Sequence, residues 1–100
     1  MEEIFARTLE VVSDTAEISP ELILSKDRHE DVFDARCLFV YLLHLQGMYP
    51  VIISRRSGFC IRSVNYCISR FNDRMKSRNY LRTIFASSAK QLGINSLTGK

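Results

Sequence analysis

The apolar residues from position 60 to position 75 recur at intervals of three and four, which is the period of one face of an α-helix. On a helix that turns by about 100° per residue, they fall within about 60° of Val64. They are Cys60, Ile61, Cys67, Ile68, Phe71 and Met75. The opposite arc carries Arg62, Ser63, Asn65, Tyr66, Ser69, Arg70 and Asp73. The segment therefore predicts an amphipathic helix that packs through one face and exposes the other.

The same spacing runs through the rest of the chain, and apolar and polar residues do not alternate as they would in a strand. The expected fold class is all-α, a compact domain of five to six helices spanning about 2–14, 20–24, 30–47, 51–56, 60–78 and 79–92. Ser19 as N-cap and Pro20 at the first helical position mark the start of the second helix. The third is apolar around much of its girth and is expected to be central. Because 100 residues hold one core, residues 1–93 are predicted to form a single domain and 94–100 a tail.

The composition and the motifs of the sequence argue against a membrane protein, a secreted protein, a metal-binding protein and an enzyme. No apolar run reaches the roughly 18 residues of a membrane span, and the start MEEIFARTLE is not a secretory signal, so a soluble cytoplasmic protein is expected. Cys37, Cys60 and Cys67 include no Cys-x-x-Cys pair and are expected to be small buried thiols. His29 and His44 are isolated, and no nucleophile has an evident base partner in the sequence. No catalytic residue, metal, cofactor or small-molecule substrate is therefore predicted.

The charge is divided sharply along the chain. Residues 1–34 carry ten acidic and three basic residues, whereas residues 35–100 carry eleven basic residues and one acid, Asp73. The two parts have formal charges of −7 and +10. Such polarity raises the local concentration of polyanions at one side of the molecule. The alternative is that the two charged faces are solvated and attract each other in the folded protein.

A helix-turn-helix is predicted between residues 50 and 78. The motif needs a short helix, a tight turn that often contains glycine, and a second helix whose first turns project into the major groove of DNA. The stretch PVIISRRS supplies the first helix, Gly58 the turn, and small Ser54 the position where the two helices approach closely. The expected inward anchors are Ile53, Phe59, Val64 and Cys67.

The outward side chains of this motif suit contact with DNA. Arginine pairs with guanine through two parallel hydrogen bonds and asparagine pairs with adenine, while serine and tyrosine reach bases or phosphates. The candidates for reading bases are Arg62, Ser63, Asn65 and Tyr66. The candidates for backbone contact on the two helices are Arg55, Arg56, Ser69, Arg70 and Arg74.

In its order of motifs the chain resembles the C-terminal DNA-binding domain of the bacterial chromosomal replication initiator DnaA. The resemblance covers roughly residues 4–92 and includes ISPELILSKDR, DARCLFVYLLHL, VIISRRSG and SVNYCISRF. It implies a Trp-repressor-like helical fold and double-stranded DNA as the partner. It also implies that Lys26 and Arg28 approach the minor groove and backbone, and that Arg36 contacts phosphate or caps a neighbouring acid.

The segment that enters the second helix departs from the family pattern. The family has Gly-Arg-Asp-His-Thr-Thr-Val there, and this chain has GFCIRSV, residues 58–64. The expected function is therefore general or sequence-specific DNA binding, in transcription regulation or in replication, including that of a mobile element. The alternative is a protein-protein interaction module that keeps the fold without reading DNA. A protein partner or a homodimer is compatible with either hypothesis.

Overall fold

The computed structural model describes residues 2–94, which form six α-helices. These are α1 (Glu2–Ala16), α2 (Pro20–Ile23), α3 (Glu30–Leu45), α4 (Pro50–Ser57), α5 (Ile61–Ser77) and α6 (Asn79–Leu92). The part of the chain that the structure describes contains no strand, so the predicted all-α class with five to six helices is confirmed. The predicted bounds agree to within about two residues, the common uncertainty of a helix end.

Helix α3 is the central element of the fold. Its side chains are buried around nearly the whole circumference, including Leu38, Phe39 and Val40 at three consecutive positions. A helix that is apolar on all sides must be covered on all sides. The other five helices do so, and each of them contacts α3. The expectation of a central third helix is therefore confirmed.

Aromatic side chains fill the space between α3, α5 and α6. The ring of Tyr41 stacks on that of Phe71 with 4.7 Å between centroids, and Phe85 packs against both at 5.8 and 5.7 Å. On the other side of α3, Phe39 meets Phe5 of α1 edge to face at 5.2 Å. These geometries are the favourable ones for aromatic pairs. They hold α5 and α1 against the same central helix.

Local signals set the helix ends. Ser19 Oγ accepts a hydrogen bond from Leu22 N at 3.3 Å, and Pro20 opens α2, as predicted. At the end of α6, Gly93 has φ +73°, and Ile94 N donates to Ala89 O at 2.9 Å. Ile94, the first residue of the predicted tail, thus packs against the core. Residues 95–100 of that tail lie outside the described residues.

A buried carboxylate joins α3 to the end of α5. Asp34 is fully buried, and its Oδ1 accepts a hydrogen bond from Arg74 Nε at 3.1 Å. Arg78 Nε lies 2.8 Å from Asp34 Oδ2, without the alignment of a hydrogen bond, and Arg78 Nη1 donates to Glu30 at 2.7 Å. The guanidinium of Arg74 also lies 5.0 Å from the ring centre of Phe33. Two arginines of the basic part thus neutralise acids of the acidic part.

In residues 2–94, no helix has the length and apolar character needed to cross a membrane.

We expect Asp34→Ala to destabilise the fold by about 3 kcal/mol, because it leaves the partly buried guanidinium of Arg74 without its anion and removes one of the two carboxylates beside Arg78. The free energy of unfolding is measured by urea denaturation followed by circular dichroism. The control is Glu30→Ala, which removes a carboxylate from the same cluster at an exposed position and should cost less than about 1 kcal/mol. Equal effects of the two substitutions would contradict the central role of Asp34.

Candidate nucleic-acid interface

Helices α4 and α5 are joined by a three-residue turn whose shape is fixed by local bonds. Gly58 has φ +86°, a left-handed conformation that glycine adopts without steric cost. Ser54 Oγ donates to Phe59 O at 2.6 Å, and Phe59 N donates to Ser57 Oγ at 3.1 Å. Gly58 N donates to Ser54 O at 3.0 Å. The start of α5 is therefore held in place by side chains and backbone of α4.

The faces of α5 divide largely as the sequence predicts. Val64, Cys67 and Phe71 are buried against the core, and Ile53 of α4 is buried behind them. All the polar side chains of the predicted outer arc are exposed: Arg62, Ser63, Asn65, Tyr66, Ser69, Arg70 and Asp73. The candidates for reading bases thus lie on one accessible face of the helix.

The first turn of α5 is more exposed than expected. Cys60 and Ile61, predicted to face inward, are both exposed, and Ile61 retains 42% of its accessible surface. The angular position of a residue on a helix predicts burial only where another helix covers that turn, and here a groove lies beside it instead. Phe59 is half-buried against the core and lies 5.7 Å from the Arg36 guanidinium. Phe59 is therefore an anchor of the turn.

The loop between α2 and α3 presents the predicted basic residues. Lys26 and Arg28 are exposed. Between them, Asp27 N donates to Ser25 Oγ at 3.1 Å, and Asp27 Oδ1 accepts a hydrogen bond from His29 N at 2.8 Å. The imidazole of His29 forms a second hydrogen bond, with Nδ1 donating to Asp27 Oδ1 at 2.7 Å, and this bond raises the pKa of the imidazole. These bonds order the loop, and they favour an additional positive charge on it as the pH falls.

An open groove of about 700 Å³ brings this loop together with the turn between α4 and α5 and the start of α5. One wall carries Lys26 and Arg28, and the other is formed by the turn and the first two turns of α5. Phe59, Cys60, Ser63 and Cys67 lie on that second wall. Sequence reasoning missed Cys60 as a groove residue. Its position in the turn, two residues after Gly58 and directly before α5, was the available signal.

Arg36 also lines the groove, but most of its side chain is used inside the fold. Its side chain is buried, with Nε donating to Ile23 O at 2.9 Å and Nη2 to Leu22 O at 3.3 Å. Burial lowers the pKa of the guanidinium, which nevertheless remains protonated. Arg36 therefore caps the carbonyl end of α2 and ties α2 to α3. The structure thus gives Arg36 a structural role, and the phosphate contact that the resemblance implied stays a prediction.

Two further arginines that were predicted to contact the DNA backbone form ion pairs within the protein. Arg74 binds Asp34, and Arg56 pairs with Glu2 of α1. This bears out part of the alternative interpretation of the divided charge, in which acidic and basic segments attract each other. Other candidates remain exposed, and none of them forms a salt bridge within residues 2–94. We call these five side chains the basic surface: Lys26, Arg28, Arg55, Arg62 and Arg70.

Residues 2–94 contain no group of three His, Cys, Asp or Glu side chains placed to hold a metal ion. Comparison with protein-family models, with curated proteins and with solved structures finds no match to this chain.

We expect Arg36→Met to lower the free energy of unfolding by about 2 kcal/mol, because it removes two charged hydrogen bonds from the carbonyl end of α2. Urea denaturation measures the change. Arg55→Met, the same substitution at an exposed site, is the control and should stay within about 0.5 kcal/mol of the wild type. A stable Arg36→Met protein would show that the capping bonds contribute little.

Proposed function

We propose that this protein binds double-stranded DNA through α4 and α5, with the outer face of α5 in the major groove and the loop at residues 25–29 on the adjacent backbone. The observation that carries the proposal is the groove whose two walls bring the basic loop and the start of α5 together. The roles we favour are transcription regulation and DNA replication, as in the initiator domain that the sequence resembles.

The charges of the basic surface support this proposal. The buried cluster around Asp34 and the pair of Arg56 with Glu2 use three of the eleven basic residues of positions 35–100 within the fold. The five side chains of the basic surface have no such partner in the described part of the chain. An exposed arginine or lysine without a carboxylate partner can replace the counterions of a phosphate, and the release of those ions favours binding.

Positions along α5 suggest a division of roles. Arg62, Ser63, Asn65 and Tyr66 lie in the first two turns, which are the part of a recognition helix that reaches base edges. Arg70 lies about two turns beyond Arg62 on α5. Arg55 is near the end of α4, where the first helix of such a motif crosses the DNA backbone. We assign base contacts to Arg62 and Asn65 and phosphate contacts to Arg55 and Arg70.

A second candidate function is recognition of a protein partner through the start of α5. It is favoured by one observation: Ile61 and the aromatic ring of Tyr66 are large side chains that retain 42% and 44% of their accessible surface on this helix. Exposed apolar groups of this size suit a protein interface. The Phe59-Cys60-Ile61 segment, which lacks the polar residues of the initiator family, points in the same direction.

Binding of random-sequence duplex DNA, measured by fluorescence anisotropy over a series of salt concentrations, tests the main proposal. If Lys26, Arg28, Arg55 and Arg70 each contact one phosphate, the slope of log K against log salt should be about −3.6. Lys26→Ala with Arg28→Ala should make this slope less steep by about 2. The control, Arg82→Ala with Lys90→Ala, removes the same charge from exposed positions on α6 and should leave the slope nearly unchanged. Absence of binding even at low salt would favour the protein-partner hypothesis.

The assigned roles are tested by comparing two double variants on a preferred site selected from a random library and on random DNA. Arg62→Ala with Asn65→Ala should reduce the preference for the selected site at least tenfold, because each lost base contact costs about 1–3 kcal/mol. Arg55→Ala with Arg70→Ala should weaken binding to both DNAs by the same factor. Equal loss of preference in both variants would remove the division between base and backbone contacts.

A further inference from the structure

Two cysteines from different helices meet in the core. Cys37 lies in the middle of α3 and Cys67 in α5, and both are buried. Their sulfur atoms are 3.1 Å apart. A disulfide bond is about 2.05 Å long, so the sulfurs need to approach each other by only about 1 Å to be joined.

We propose that Cys37 and Cys67 form a redox modification site, in which hydrogen peroxide converts the two thiols into a reversible disulfide that links α3 to α5. The proposal concerns covalent chemistry of the core and is independent of DNA binding. It rests on the short distance between the two sulfur atoms and on the position of Cys67 in the lining of the groove.

The surroundings of the pair give the two thiols different roles. The hydrogen bond shared by the sulfurs lowers the pKa of the Cys67 thiol, and the positive charges of Arg36 and Arg74 act in the same direction. The same hydrogen bond, together with burial, raises the pKa of Cys37. The thiolate is the reactive form of cysteine. Because Cys67 also lines the groove and Cys37 does not, Cys67 is assigned as the thiol that attacks the oxidant and Cys37 as the one that resolves the product.

Cys67 is 2% exposed and belongs to the lining of the groove, which is the side from which a small oxidant would reach it. Cys67 lies on the wall of the groove, whereas Cys37 lies behind it in the core. Hydrogen peroxide is little larger than a water molecule, and the groove is open to solvent. Cys60, on the same wall, is exposed and has a lowered pKa because of its hydrogen bonds with Ser63. Cys60 is therefore a competing target for peroxide, and the experiment must remove it.

The reaction balances in two steps. The Cys67 thiolate attacks one oxygen of hydrogen peroxide, the O–O bond breaks, and the products are a sulfenic acid at Cys67 and hydroxide, which takes up a proton to become water. Cys37 sulfur then attacks the Cys67 sulfur, the S–O bond breaks, and the leaving hydroxide takes the Cys37 proton. In total, two thiols lose two electrons and two protons, and peroxide is reduced to two waters.

The bond would enclose the first helix of the motif and its turn. Residues 37 and 67 bracket all of α4 and the turn, so the crosslink restricts the unfolded chain over that whole segment. A loop of this length should raise Tm by roughly 10–20 °C when the native packing accommodates the bond. Oxidation would thereby fasten the exposed helix α5 to the central helix.

The sequence makes the bond easy to identify by mass spectrometry. Trypsin cleaves after arginine and places the three cysteines on three different peptides, 37–55, 57–62 and 63–70. The experiment treats reduced wild-type protein and Cys60→Ser with hydrogen peroxide, blocks the remaining thiols by alkylation under denaturing conditions, and digests without reduction. The expected product in both proteins is peptide 37–55 linked to peptide 63–70, and dithiothreitol should release the two peptides.

The intact mass and the Tm of the oxidised variants test whether the bond joins Cys37 to Cys67. Oxidised Cys60→Ser should lose the mass of two hydrogen atoms, and its Tm should rise as stated above. Cys37→Ala in the Cys60→Ser background should lose both the linked peptide and the rise in Tm. If Cys37 and Cys67 both remain open to alkylation after a peroxide dose that fully oxidises Cys60 in the wild type, the proposal is wrong. It is also wrong if the only linked peptides contain Cys60.

Discussion

Burial of α3 on all sides is the constraint on which the rest of the structure depends. A helix whose circumference is apolar is stable in water only when other elements cover every face, and five helices do so here. Its few buried polar side chains then need partners inside the protein. Asp34 takes two arginines from the end of α5 and its C-terminal junction, and Arg36 takes the carbonyl end of α2. The helices that cover α3 therefore also provide the partners of its buried charged side chains.

These ion pairs inside the protein remove some of the basic residues from the surface that DNA could contact. The formal charges of −7 and +10 suggest two large fields of opposite sign. In the folded protein, Arg56, Arg74 and Arg78 pair with acids of the first 34 residues. The candidate side chains that remain exposed lie on the loop after α2, on α4 and on α5. The proposed DNA contact therefore depends on the exposed basic residues that lie beside the groove and on α4 and α5.

The fold was predictable from the sequence because helix period and helix ends are local properties. The spacing around Val64, the Ser19-Pro20 start and the glycine after α4 each act within a few residues, and each is found as expected. The candidate site was predictable only in part. The outer face of α5 is exposed as predicted, but a helical projection cannot show where the covering helix stops, so Cys60 and Ile61 were placed inward in error.

By itself, the sequence determined the six helices, the central position of α3 and the face that α5 presents, since all of these follow from the spacing of apolar residues. Tertiary structure alone decided which charged and sulfur-containing side chains meet. Asp34 and Arg74 are 40 residues apart, and Cys37 and Cys67 are 30 apart. No local pattern records such pairs, because they form only when whole helices pack. The same packing places Arg36 against the end of α2, where it caps two carbonyl groups.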